Sequence, residues 1–204
     1  MRPLPLLAAA LFATSAVAQV ATSAPAMPNP SKIVAGNYAV EPDHTQVIFA
    51  VDHMGFSIFR GFLSQASGSL MIDPAKPAAT QLSVTIPIAS IHTTSAKLDG
   101  ELNSADWLDA QRFPTATFVS TKVTPGPQGL AMVEGNLTLH GVTRPAEMRV
   151  HFRGAGANPM SKVATIGFDG RMMLERSQFG VTKLEALVSD HVELTIAAAF
   201  VLQP

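Results

Sequence analysis

The sequence predicts an all-β protein, a closed barrel of eight antiparallel strands with one or two short helices inserted between strands. Two observations carry that expectation. Apolar and polar residues alternate in one segment after another between Val47 and Leu202, the period of a strand with one buried face. In addition, Asn136–Pro145 reads NLTLHGVTRP, with apolar alternation up to Leu139 and then His140-Gly141. From Ala146 the alternation resumes, with Met148, Val150 and Phe152 on one face and Glu147, Arg149, His151 and Arg153 on the other. That pattern predicts two antiparallel strands joined by a short Gly-containing turn. A chain of such hairpins closes into a barrel or a sandwich. Pattern alone leaves a filled β-sandwich as the rival.

Taken in order, Tyr38–Val40 leads through Pro42-Asp43-His44 into a strand from Val47 to His53. Met54-Gly55-Phe56 breaks it, and Ile58 to Ile72 reads as one long strand, with Gly61 and Gly68 as bends or bulges. Leu82–Ile88, Phe118–Val123, Ala131–Leu139, Ala146–Phe152, Ala164–Leu174 and Val192–Leu202 complete the set. Ser95 to Phe113 differs: Leu98, Leu102, Trp107 and Leu108 recur at helical spacing, and Pro114 ends the segment.

The N-terminal stretch stands apart from this domain. Arg2, the apolar run Leu4–Ala18 and the small residues Ala16 and Ala18 predict a secretory signal peptide over 1–18, cleaved after Ala18. The run is too short and Ala-rich for a membrane span, so no integral membrane segment is expected in the mature chain. Residues 19–35, rich in Ala, Pro, Ser and Thr, predict a flexible linker, and 36–204 the folded domain. Once Arg2 is removed, 13 Lys and Arg face 15 Asp and Glu, a balance of −2 that attracts neither nucleic acid nor an anionic surface. There is no Cys, so an exported form must be held by its core alone. Phe accounts for 11 of the 13 aromatic residues, which suits an apolar interior.

The chemistry-bearing residues form no recognised catalytic pattern. His44, His53, His92, His140, His151 and His191 include no pair at a known metal-ligand spacing. No Gly-x-Ser-x-Gly elbow is present. Asp43, Asp52, Asp73, Asp99 and Asp109 read as turn and surface residues. Two polar residues stand out. His53 shares a strand face with Val47, Phe49 and Val51 and should point inward. It reads either as a core histidine bonded to a backbone carbonyl or as a contact for a ligand headgroup. Arg176 follows the apolar run ending at Leu174. It reads either as a group that caps a strand or bonds loop carbonyls, or as a headgroup site at a barrel mouth.

A set of short motifs recurs in order along the chain. They are Asp43-His44-Thr45 with Phe49 and His53; Met54-Gly55; Arg60-Gly61-Phe62; Gly68 with Asp73; Ile86–Ile91; and Leu102–Asp109. Then come Phe113-Pro114-x-Ala116-Thr117-Phe118, Leu137–Pro145, Arg176-x-x-Phe179-Gly180 and Asp190-His191-Val192. In these motifs the chain resembles the YceI-like family of exported, lipocalin-like polyisoprenoid-binding proteins, from about Asn37 to Val201. It departs from the usual family pattern at Lys97-Leu98-Asp99, Glu101-Leu102, Trp107-Leu108, Leu174-Glu175 and in a short stretch after Gly180.

The resemblance implies a lipocalin-like barrel whose apolar tunnel holds one isoprenoid or other long-chain lipid, quinone-like or a fatty amide. The role it implies is that of a periplasmic carrier, in quinone handling or stress protection, and not of an enzyme. No cofactor other than the lipid is expected, and a homodimer is plausible. The alternative is a periplasmic enzyme or electron-transfer accessory acting on quinone-type lipids. By alternation the tail would lie among Phe49, Val51, Val84, Ile86, Phe118, Leu137, Leu139, Met148, Val150, Phe168, Ile196 and Ala198. His53 and Arg176 are the expected headgroup contacts.

Overall fold

The computed structural model describes residue 26 and residues 28–204. The expected signal peptide lies outside the described residues, as do linker residues 19–25 and 27. Ten strands form: β1 (Gly36–Val40), β2 (Gln46–His53), β3 (Ser57–Leu63), β4 (Ser67–Ile72), β5 (Gln81–Pro87), β6 (Thr115–Pro125), β7 (Leu130–Leu139), β8 (Val142–Ala157), β9 (Ala164–Glu175) and β10 (His191–Leu202). All pairings are antiparallel, in the order β1-β4-β5-β6-β7-β8-β9-β10-β2-β3, and an added β1–β10 pairing closes the ring. The filled sandwich left open by pattern is therefore not formed.

The expected eight strands survive as eight staves, two of them broken. Along β10, residues 200–202 pair with β1 and residues 193–197 pair with β2. The two form one stave interrupted by the turn Pro42–His44. Thr45 bridges the break: its hydroxyl accepts from Ala199 N (3.1 Å), while Glu41 N donates to Ala199 O (2.8 Å). The expected single strand Ile58–Ile72 is split into β3 and β4, which pair with β2 and β1 respectively. The break falls at Ser64–Ala66, where Gln65 adopts φ 57°, and not at either glycine. Gly61 lies instead under the Phe49 ring, where any Cβ would collide with it.

The β7–β8 hairpin forms as read. His140 and Gly141, at φ 51° and 74°, make the two-residue loop, and Leu139 pairs with Val142. Positive φ at both positions is the type I′ geometry that matches strand twist. Two register shifts could not be read from alternation: one at Thr121 in β6, one at Arg153 in β8. Each moves the inward face by one residue, so Val123 and Ala155 are buried along with Phe118 and Phe152. Ser120, just before the first shift, accepts from Leu82 N at 2.8 Å and holds β5 to β6 there.

Between β5 and β6 the chain leaves the barrel. The only α-helix among the described residues is α1 (Ala96–Asn103), capped by Ser95 Oγ, which accepts from Leu98 N. The remaining helically spaced residues, Trp107 and Leu108, lie in turns. This segment stands beside β3 and is joined to it by the bridge between Phe62 and His92. At the opposite end, Pro30–Lys32 makes a 3-10 turn, Ile33 packs on the core and Tyr38 donates to Val34 O at 2.7 Å. Packing thus begins before Gly36. No described helix is long and apolar enough to cross a membrane.

Candidate ligand cavity

The barrel interior is hollow. A cavity of about 840 Å³ runs from the α1 end, where Leu98, Leu102, Trp107 and Leu108 line it, to the far end at Pro74, Pro77, Gly126 and Leu130. Burial shows the same thing. Phe49, Val51, Val84, Ile86, Leu139, Val150, Phe168, Ile196 and Ala198 face inward, yet all are only half-buried. They pack on one another at their edges but leave part of their inward surface uncovered, unlike the close packing of a filled core. Two buried clusters flank the space. Tyr38, Leu70, Phe152, Ile166 and Phe200 belong to one; Phe118, Val133, Leu137, Met148 and Met172 belong to the other.

All the residues expected at the tail and headgroup lie on this one wall. Val133, Met172, Leu194 and Phe200, which share strand faces with the residues named above but were not among those expected, line the cavity too. The contributions of Leu98, Leu102, Trp107, Val181, Leu184 and Val188 had no strand period to reveal them. Leu98, Glu101, Leu102, Trp107, Leu108 and Leu174, where the chain departs from the usual family pattern, all line the α1 end.

Arg176 is buried, 5% exposed, at the start of the turn Arg176–Phe179. Its Nε donates to Ser189 O (3.1 Å), its two terminal nitrogens to Val181 O (2.7 Å), Lys183 O (2.9 Å) and Val188 O (2.9 Å). The guanidinium stacks 5.6 Å from the Trp107 ring centre. Of the two readings open at Arg176, the one that bonds loop carbonyls describes this geometry, with a single N–H left over. Loop 181–190 is thus wound around one cation. Lys183 Nζ to Asp106 (2.8 Å) ties it to the α1 segment.

His53 ends β2, and its backbone bridges to Val188 of the same loop. Its ring has no hydrogen-bond partner among the described residues, and it lines the cavity. Three other polar groups on the wall are engaged: Thr45 with Ala199, Asp169 with Arg153 (3.3 Å) and Glu101 with Lys97 (3.7 Å). His140, outside the cavity, places Nδ1 3.0 Å from Phe179 O, so that nitrogen carries the proton. Asp109, expected at the surface, is buried at 6% and accepts from Arg112. It turns the chain at φ 45° beneath the α1 segment.

Two carboxylates hold the segments around the α1 end. Hydrogen bonds from Thr93, then the nearby His92, keep the Asp99 carboxyl below its ordinary range. The Ser177 amide, at 2.7 Å, and its hydroxyl do the same for Asp190. Both folded values are depressed, so the stability these groups add is complete above the unfolded value of about 3.9 and is lost as pH falls through the folded values. A chemical-denaturation series on the acid side should show stability falling in that window, and Asp99→Asn with Asp190→Asn should flatten the fall. An unchanged slope in the double variant would refute the assignment.

A profile of the YceI-like domain matches residues 38–200. The chain belongs to the YceI-like family. A UPF0312 protein of Ectopseudomonas mendocina is 36% identical over 166 residues, 80% of this chain and 86% of that protein. Among solved structures of similar chains, BcnA of Burkholderia cenocepacia superposes with a TM-score of 0.69 at 28% identity, covering 76% of this chain and 95% of BcnA. A polyisoprenoid binding domain of Saccharophagus degradans shares the fold, with a TM-score of 0.62 at 13% identity and 81% and 98% of the two chains covered. This YceI-like barrel thus has relatives with the same closed antiparallel architecture.

Proposed function

We propose that this YceI-like chain is an exported, periplasmic carrier that binds one isoprenoid or other long-chain lipid and is not an enzyme. The observation that carries the reading is the cavity wall: a barrel-length lining of Phe, Leu, Val, Ile, Met and Ala, with polar groups few and mostly engaged. Its volume of about 840 Å³ lies within the range of roughly 300–1,000 Å³ for ligand sites. Each methylene moved from water into such a space contributes about 0.8 kcal/mol, so a long tail binds without directed hydrogen bonds. That a polyisoprenoid binding domain has this fold supports the same ligand class. Isoprenoid quinones and fatty amides share the required form, a long apolar tail with a compact headgroup that accepts hydrogen bonds through carbonyl oxygen.

In this reading the headgroup lies at the α1 end beside His53, whose ring is unpartnered among the described residues. Arg176 positions the loop above it. The test is to purify the protein from its native host, extract it with organic solvent, identify lipids by mass spectrometry and add isoprenoid quinone in a thermal-shift assay. Co-purified lipid and a raised Tm are expected; neither appearing in repeated preparations would refute the carrier. His53→Ala should weaken quinone binding about fivefold, the loss of one hydrogen bond of about 1 kcal/mol. It should leave binding of a plain hydrocarbon chain unchanged. Equal loss for both ligands would remove His53 from the headgroup site.

A further inference from the structure

At the α1 end of the barrel, apolar side chains project into solvent from two adjacent loops. Phe56 is 86% exposed and Met54 44% at the β2–β3 turn; Leu184 and Leu187 are each 47% exposed in loop 181–190. The loops are joined by Met54 N donating to Leu187 O at 2.9 Å. Leu184 belongs to both surfaces, since it also lines the cavity. The apolar lining therefore continues through Leu184 and Val188 into the loop that carries these exposed tips.

Resting on the carrier reading, we propose that these tips insert into a lipid bilayer, so that cargo passes between membrane and cavity without crossing water. Three features favour a bilayer over another protein. The residues sit at loop tips, with positive φ at Met54 (57°), Gly55 (70°) and Leu184 (56°), and not on a flat face. Phe and Leu are the residues that lodge at the headgroup–acyl boundary. The charges beside them are mixed, with Asp52, Glu185 and Asp106 against Lys183 and Arg60, and Lys183 is already paired with Asp106. Such a patch binds by insertion and not by attraction to anionic lipid. At the other end Met160 is 91% exposed but alone on its turn, and Pro30–Ile33 packs across that end.

The test uses the purified protein and vesicles of phosphatidylethanolamine, with or without phosphatidylglycerol, carrying an isoprenoid quinone. Quinone transfer from vesicles should slow at least tenfold in F56S/L187S. Binding of detergent-dispersed quinone should be unchanged, because neither residue lines the cavity. M160S should behave as wild type, and co-flotation should persist at high salt. Failure of the wild type to bind dispersed quinone would overturn the carrier reading itself. Wild-type binding with equal transfer by F56S/L187S, or flotation abolished by salt, would overturn insertion alone. So would a wild-type dimer that F56S/L187S converts to a monomer without any change in transfer.

Discussion

Replacing Arg176 by Leu is expected to destabilise the protein by about 3–5 kcal/mol. The guanidinium serves four carbonyls, and its bonds to Val181 O and Val188 O are buried. Leu fills part of the space but donates nothing. Each buried carbonyl left unpaired costs about 1–3 kcal/mol, and removing one partner of a buried charged network costs more than the network contributes net. Arg176→Lys should recover less than half of the loss, because one ammonium cannot reproduce a planar fork directed at carbonyls on several sides. Urea denaturation measures the global loss. Hydrogen exchange should show the earliest opening in residues 181–190, with the Trp107 environment changing alongside it, since the guanidinium covers that ring. An R176L protein within about 1 kcal/mol of wild type would show that the loop does not depend on this cation.

Val150→Trp should weaken lipid binding strongly while leaving the fold intact. Val150 faces the cavity and is flanked by small residues, Gly170 on β9 and Ala131 on β7. The Met148 and Ile196 side chains already stand over Gly170, so an indole must extend past them into the cavity, in place of the tail. If it excludes about four methylenes, binding weakens by about 3 kcal/mol, roughly a hundredfold. Stability should hold or rise, because the ring buries apolar surface where no protein atom stands, the reverse of overpacking a filled core. Quinone titration and thermal melting separate the two effects. A folded V150W protein that binds as tightly as wild type would place the ligand elsewhere.

Both substitutions show how much of the site was legible from the residues. Val150 was assigned inward because strand period places it with Met148 and Phe152, and the barrel keeps that face inside. The β7–β8 hairpin was legible because its information is local: two strands and a turn residue that tolerates positive φ. Arg176 was left between two readings because its four acceptors lie 5 to 13 residues further along, in a loop with no period. The break of Ile58–Ile72 at Gln65 was hidden for a related reason. Gln is not a turn signal, and the two halves separate only because their partners β2 and β1 are themselves separate. Asp109 misled because a carboxylate in a polar stretch reads as exposed, whereas here the chain folds back over it.

By itself the sequence determined the strand character of the chain, the inward face of most strands, the hairpin at His140-Gly141 and the family. Each depends on period-2 patterning, turn chemistry or ordered motifs, which act over a few residues. The tertiary structure alone decided that the interior is hollow. Alternation says which side chains face inward but not how far the opposing walls stand apart; that distance follows from closing eight staves through the β1–β10 pairing. It also decided which end carries the loops wound on Arg176 and the exposed Phe56, because those neighbours meet only once the ring has closed.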